Sequence, residues 1–260
     1  MNATDSRSGS AALAYGTAAY GLFLSVFFYT VGFIGDFFTP TRLDGVPGRP
    51  WLQALAIDLA LLGLFAVQDS VMARPAFKRW RTRFIPEAVE RSTYVLFSSV
   101  ALLTLFAFWE PIGGVIWDAH GPARTVIVAV YLLGWALLLY STFLIDHFDL
   151  FGLRQVWRRA LGQPYQPPQF HTPGLYKSVR HPIYIGCLTI FWAAPTMTVA
   201  HLVFAVAATA YVLIAIRLEE RDLVTAFGEP YLAYRRSTPM LIPRLHRKTA
   251  RLAATEVLKS

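Results

Sequence analysis

The sequence predicts an all-α integral membrane protein: a bundle of five to six transmembrane helices, the last two forming a helical hairpin. Three observations carry this. Of 260 residues, 55% are apolar and only 15% are charged, against about 25% charged in an ordinary soluble domain. Several stretches run long enough without charge to cross a hydrocarbon core about 30 Å thick, which takes about 20 helical residues. The basic residues collect in alternate loops. A water-soluble globule of this composition would expose more apolar surface than its charges could solvate, which excludes a typical soluble enzyme as well as a disordered chain. The single cysteine, Cys187, excludes an intrachain disulfide and a cysteine-based zinc site, and no metal is expected.

The spans follow in order. Residues 11–35 carry no charge, and this run is longer than the apolar region of a secretory signal. Residues 51–72 are apolar apart from Asp58 and Asp69. Residues 92–109 are uncharged and close on Glu110-Pro111. Residues 125–145 are uncharged and close on Asp146. Residues 182–216 are uncharged for 35 residues, too long for one span and short for two, and Pro195 interrupts them. The reading is a hairpin of about 182–194 and 199–216, with a re-entrant first half as the alternative. The chain is one membrane domain over 1–260, with four spans in 1–145 and a basic tail at 244–260 that reads as a surface-lying amphipathic end or a frayed one.

Loop charge gives the topology. With six crossings, 21 of the 24 Lys and Arg residues fall on one side and three on the other. The positive-inside rule then puts both termini in the cytoplasm of a bacterial inner-membrane, multi-pass protein. The net charge of +8 is accounted for by topology and membrane lipid headgroups, and no nucleic acid partner is implied.

The informative polar residues lie on the expected cytoplasmic side. In the segment Gly174 to Gly186, Pro182 suits a first helical turn, so His181 stands at an N-cap where free N–H groups favour an anion. Lys177 and Arg180 add positive charge, Tyr184 lies nearly on the His181 face, and Gly186 gives close access to a ligand or another helix. Glu219 and Glu220 adjoin at the end of the last span, pointing about 100° apart. Phe227-Gly228, Tyr231, Tyr234, Arg235 and Pro239 to Pro243 form a short amphipathic piece and an extended strip. Asp146, His147 and Asp149 stand together after the fourth span, as a base with orienting carboxylates or as helix-end caps. Asp58 and Asp69 are intramembrane carboxylates, either functional or tied up in interhelical hydrogen bonds. Taken singly, each cluster also has a plain structural reading as an entry loop, a salt-bridge group or packing.

Arg180-His181-Pro182-x-Tyr184-x-Gly186, then Glu219-Glu220, then Phe227-Gly228-x-x-Tyr231-x-x-Tyr234 and Pro239-x-x-Ile242-Pro243, resemble the isoprenylcysteine carboxyl methyltransferase superfamily over residues 170–243. Upstream, the stretch from Asp69 to Lys78, Glu90 to Tyr94, Asp146 to Gln155 and Phe191 to Met197 resemble the methanethiol S-methyltransferase branch; NnrU-like proteins share much of this part. One departure is Gln68-Asp69, where many relatives have His before Ser70. The resemblance implies a membrane enzyme using S-adenosyl-L-methionine, with 146–243 as a cofactor-binding core on the cytoplasmic side. His181, Tyr184 and one of Glu219 and Glu220 would line the cofactor site with Tyr176, Lys177, Arg180, Gly186 and Arg235. A small thiol, most simply methanethiol going to dimethyl sulfide, would be the acceptor. Because thiolate is the nucleophile, a base is expected: His147 oriented by Asp146 or Asp149, with Asp149 or Asp69 next. The rivals are another acceptor (a prenyl-cysteine carboxylate or a lipid amine), a non-catalytic NnrU-like accessory protein, and a transporter.

Overall fold

The computed structural model describes residues 3–243, with side chains from residue 8 onward; the 244–260 tail lies outside the described residues. Helix α1 (Ala3–Gly35) leads to α2 (Trp51–Ala73), the short α3 (Pro75–Arg81) and α4 (Glu87–Phe108). Strand β1 (Val115–Asp118) precedes α5 (Gly121–Ile145), which is followed by the short helices α6 (His147–Leu150) and α7 (Leu153–Ala160). A 3-10 turn at Gly174–Lys177 enters α8 (Pro182–Trp192); strand β2 (Thr196–Thr198), α9 (Val199–Phe227) and α10 (Glu229–Ser237) complete the chain. Among the described residues, five helices are long and apolar enough to cross a membrane: Ser8–Gly35 within α1, then α2, α4, α5 and α9. The protein is therefore an all-α integral membrane protein.

The segment expected as the first half of the hairpin differs from these five helices. Helix α8 has 11 residues, about 16 Å, which is half a hydrocarbon core. It stops at Trp192, Ala193 makes a tight turn in which the Ala194 N–H bonds the Trp192 carbonyl at 3.0 Å, and Thr196–Thr198 run extended after Pro195. Strand β2 then pairs antiparallel with β1. The start of α5 follows β1 directly, so α8 plus its extended tail reaches the end from which α5 sets out. The Thr198 hydroxyl caps the start of α9 by accepting from the His201 N–H at 3.1 Å. Helix α9 runs 11 residues past the expected end at 216, because Arg217 to Phe227 contains no helix breaker before Gly228. A left-handed φ of 61° at Gly228 ends it.

Two glycines make the α5–α8 pair possible. A Cβ on Gly186 would stand 2.8 Å from the Leu138 nitrogen and 2.9 Å from the Gly134 carbonyl oxygen. A Cβ on Gly134 would meet the Gly186 oxygen and the Ile190 nitrogen at 3.2 Å. Such close backbone approach is how helices associate where lipid offers no hydrophobic gain. Of the two occupants open to the space beside Gly186, a ligand or a helix, it is α5 that fills it.

The buried core gathers Phe33, Phe106, Trp109, Tyr131, Ile190 and Phe204 from α1, α4, α5, α8 and α9. One end of the bundle joins the loop between α1 and α2, β1 and β2: Asp44 accepts from the Thr198 hydroxyl, Trp109 donates to the Leu43 carbonyl at 3.0 Å, and Arg49 pairs with Glu110 at 2.7 Å. Asp58 belongs to this end, fully buried and accepting from the Glu110 N–H at 2.9 Å. The other end joins α3, α6, α7, the Gly174–Lys177 turn and α10, with Arg74 on Asp222 at 2.7 Å and Arg91 on the Leu150 carbonyl at 2.6 Å. Among the described residues, the first end carries only Arg42, Arg49 and Arg124 as Lys or Arg; the second is the basic end.

Candidate functional site

The densest polar group lies at the basic end, between the start of α8 and the end of α9. Pro182 opens α8 and His181 stands at its N-cap with φ −128° and ψ 64°; no side chain caps that start. The chain after α10 folds back and pairs with this segment, the Pro239 and Met240 carbonyls accepting from the Arg180 and His181 N–H groups at 2.9 and 3.2 Å. Arg180 donates from Nε to Glu220 Oε1 at 2.7 Å and from Nη1 to the Arg235 and Thr238 carbonyls. His181, 4% exposed, bonds through Nε2 to Glu220 Oε1 at 3.1 Å. Arg235 Nε is 3.7 Å from Glu220 Oε2. Glu220 thus faces three cationic or donor groups and is 9% exposed.

Glu219 differs. Its side chain is 43% exposed, and its Oε2 accepts from the Tyr184 hydroxyl at 2.9 Å and lies 3.9 Å from His181 Nδ1. Adjacent residues on a helix point about 100° apart, so one carboxylate ties the segment together while the other stays open to a ligand. Tyr176 bonds to the Ser141 carbonyl at 3.4 Å, and its own carbonyl accepts from Tyr234 at 2.6 Å. Burial raises the phenols of Tyr176, Tyr231 and Tyr234, the last to about 12. All three therefore stay protonated donors across the physiological range. The Lys177 side chain is exposed.

Asp69 sits deeper, on α2. Its Oδ1 accepts from Tyr94 at 2.5 Å and Ser98 at 3.2 Å on α4, and its Oδ2 from Tyr211 at 2.5 Å on α9. It is a staple joining three helices, the interhelical bonding that is one of its two sequence readings, whereas Asp58 binds the backbone just past the end of α4.

His147 packs against α1. It is 3% exposed, stacked on Phe143 with ring centroids 4.3 Å apart and edged by Tyr20 and Phe148. Its Nδ1 is 2.8 Å from Thr142 Oγ1 and its Nε2 is 2.8 Å from Tyr20 Oη. The Thr142 proton goes to the Leu139 carbonyl at 2.7 Å. Thr142 must therefore accept from Nδ1–H, which leaves the lone pair on Nε2 to accept from Tyr20. Here the sequence reading needs correction: neither Asp146 nor Asp149 orients the imidazole. Asp146 accepts from the Asp149 N–H at 3.1 Å and pairs with Arg154, while Asp149 accepts from the Tyr165 hydroxyl at 3.0 and 3.1 Å. The physical reason is local. Asp146 has a φ of 156° and caps the one-turn helix α6, which turns both carboxylates outward and the imidazole inward. Burial lowers the His147 pKa, and burial raises that of Asp149 against the opposing hydrogen bond from Tyr165 and the charge of Arg91.

The structure brings together Arg180, His181, Tyr184, Glu219, Glu220, Arg235 and Tyr176, and holds Asp69 on α2 and His147 against α1 by partners outside that set. The sequence reading missed Tyr20, Thr142 and Tyr211, and held Tyr94 only as the end of the Glu90 to Tyr94 stretch. The only signal these gave was a hydroxyl inside an otherwise apolar span.

An all-α integral membrane protein with a charged, partly open site at one end of its bundle is the class that fold and site define. In sequence, the chain is 52% identical over 236 residues to the methanethiol S-methyltransferase of Mycobacterium tuberculosis, covering 90% of this chain and 97% of that one. It is 52% identical over 238 residues to the methanethiol S-methyltransferase of Crocosphaera subtropica, covering 91% and 93%. It is also 33% identical over 190 residues to Nurim of Rattus norvegicus, covering 70% and 72%. No family model matches the chain, and no solved structure matches it significantly. The chain belongs to the methanethiol S-methyltransferase family of enzymes.

Proposed function

We propose that this chain methylates methanethiol to dimethyl sulfide with S-adenosyl-L-methionine as donor, in a bacterial inner membrane with both termini cytoplasmic. The observation that carries the reading is the Glu219–Tyr184–His181 group, in a chain half identical to enzymes of that name. Its donor set fits the cofactor. Glu219 is a half-exposed carboxylate suited to an ammonium group. The start of α8 has no side-chain cap and suits a carboxylate. The face of Tyr184 suits a sulfonium. Arg180, Glu220 and Arg235 hold these groups in place from behind; Tyr176 and Lys177 border the site, and Gly186 sets α8 against α5. When bound, the cofactor supplies an electrophilic methyl on a sulfonium whose departure needs no acid.

The chain's task is then positioning and delivery of thiolate. A thiol with a pKa above about 8 is mostly protonated at neutral pH. His147 takes that proton: the thiol gives it to the Tyr20 oxygen as the Tyr20 proton passes to His147 Nε2. Thr142 fixes the tautomer, and the lowered pKa keeps the ring neutral and able to accept. Asp146 and Asp149 support the turn that carries His147, and Asp69 anchors α2 beside the site.

The test is purified protein in detergent with methyl-labelled S-adenosylmethionine and a panel of thiols, the volatile products being collected. Labelled dimethyl sulfide from methanethiol is expected. Transfer of label only to lipid or prenyl-cysteine, with no volatile product, would overturn the acceptor; no transfer at all would overturn the enzyme.

A further inference from the structure

The outer side of α9 carries a groove that shares Glu220 and Arg235 with the support of the Glu219 site but faces away from it. Arg217, Glu220, Arg221, Val224, Thr225 and Arg235 line it, and its volume is about 400 Å³. At about 100° per residue, Arg217, Arg221 and Val224 lie within about 60° of one another, and Glu219 points about 140–160° away from them. The groove and the Glu219 site therefore occupy opposite sides of the helix. Arg235 reaches in from α10. The side chains of Arg217 and Arg221 are exposed, and no acidic side chain among the described residues pairs with either. Glu220, the one acid present, is already engaged by Arg180 and His181, so the groove is net positive.

What lies below the groove says what kind of anion it suits. Val206, Ala210, Leu213 and Ile214 fall on the same side of α9 by the same rotation, and all four are exposed. An uncovered apolar stripe thus runs along a membrane-length helix directly into a cluster of three guanidinium groups. A soluble phosphate has no use for the stripe. A two-part ligand, charged at one end and aliphatic along the other, matches both.

We propose that this groove binds an anionic phospholipid. Its phosphodiester lies among Arg217, Arg221 and Arg235, and one acyl chain lies along Val206 to Ile214. Guanidinium groups suit phosphate oxygens by their forked donors. The lipid would also hold α10 against α9, through Arg235.

The full chain in neutral detergent tests this with three probes: phosphatidylglycerol, phosphatidylcholine and inorganic phosphate. The unfolding midpoint is followed in each titration, and retained lipid is read by native mass spectrometry. Phosphatidylglycerol should raise the midpoint and stay bound, whereas the other two should not. An Arg217→Gln/Arg221→Gln variant should need about 10- to 30-fold more phosphatidylglycerol for the same rise, with S-adenosylmethionine affinity unchanged. Arg221→Gln alone should need about 5-fold more, which serves if the double variant does not fold. Arg236→Gln, on α10 but paired with Glu229, should behave as wild type. Equal effects of phosphatidylcholine or of inorganic phosphate would overturn the proposal, as would an unchanged response in the arginine variants. Loss of cofactor affinity in lipid-free detergent would overturn it too, by making the groove part of the methyl-donor site.

Discussion

Glu219 and Glu220 are neighbours in sequence with opposite surroundings, and this makes the pair separable by experiment. Glu219→Gln removes a charge from the half-exposed side. A hydrogen bond to a charged group is worth about 1.5–3 kcal/mol, so S-adenosylmethionine affinity should fall about 10- to 100-fold by calorimetry while the melting temperature holds. Glu220→Gln instead leaves Arg180 and His181 without their shared carboxylate. Breaking a largely buried pair costs about 3 kcal/mol, so this variant should melt several degrees lower. The reverse pattern would assign the cofactor to Glu220. His147 is the other residue-scale test. Burial lowers its pKa below the ordinary 6.5, so the folded protein holds it neutral and the unfolded chain binds the proton first. Its stability contribution is complete above about pH 6.5 and is lost as pH falls through the depressed folded value. Wild-type turnover should therefore persist somewhat below pH 6.5. His147→Gln should lower turnover at pH 7 with cofactor affinity intact, and the deficit should shrink toward pH 9.5 as solvent supplies thiolate. A deficit constant over that range would make His147 a wall of the pocket rather than its base. Tyr20→Phe, which interrupts the route to Nε2, should show the same pH-dependent deficit.

At the scale of elements, the packing of the short helix α8 depends on backbone contact with α5. Gly186→Ala puts a Cβ 2.8 Å from the Leu138 nitrogen, and overpacking of this kind costs about 1–3 kcal/mol. Gly63 on α2 meets nothing within 4 Å, so Gly63→Ala should be neutral, or stabilising by up to about 1 kcal/mol through helix propensity. Melting curves of the two variants in the same detergent check the contrast. If the Gly186→Ala protein melted like wild type yet lost cofactor affinity, the glycine would be serving the ligand and not the helix pair. The sequence marked the interruption at Pro195 but did not show how an 11-residue helix completes its path. The answer is the pairing of Thr196–Thr198 with Val115–Asp118, between segments 78 residues or more apart along the chain.

For the whole molecule, the loops that the charge pattern assigned to one side are the loops that meet at one end of the bundle. Asp44 meets Thr198, Trp109 meets Leu43, and β1 meets β2, at the end that carries, among the described residues, only Arg42, Arg49 and Arg124 as Lys or Arg. The proposed topology has six crossings with both termini cytoplasmic, and five of the six segments are helices of membrane-spanning length. Reporter fusions after residues 45 and 118 should report the periplasm, and those after 82, 160 and 250 the cytoplasm. A periplasmic signal at 250 together with one at 118 would mean that α8 does not cross.

By itself, the sequence determined the class, five membrane-spanning helices and the alternation of basic loops, and it named the residues that the α8–α9 cluster holds. Each of these is written locally, in runs of apolar residues longer than a bilayer needs or in polar residues that have no place in such runs. The tertiary structure alone decided which glutamate stays open, which hydroxyls hold His147, and that Asp69 joins three helices. A carboxylate or imidazole takes its partners from whichever helices pack beside it. Tyr20 and His147 are 127 residues apart in the chain, and Tyr211 and Asp69 are 142 apart. No spacing along one segment encodes such pairs; they exist only once the helices have chosen their neighbours.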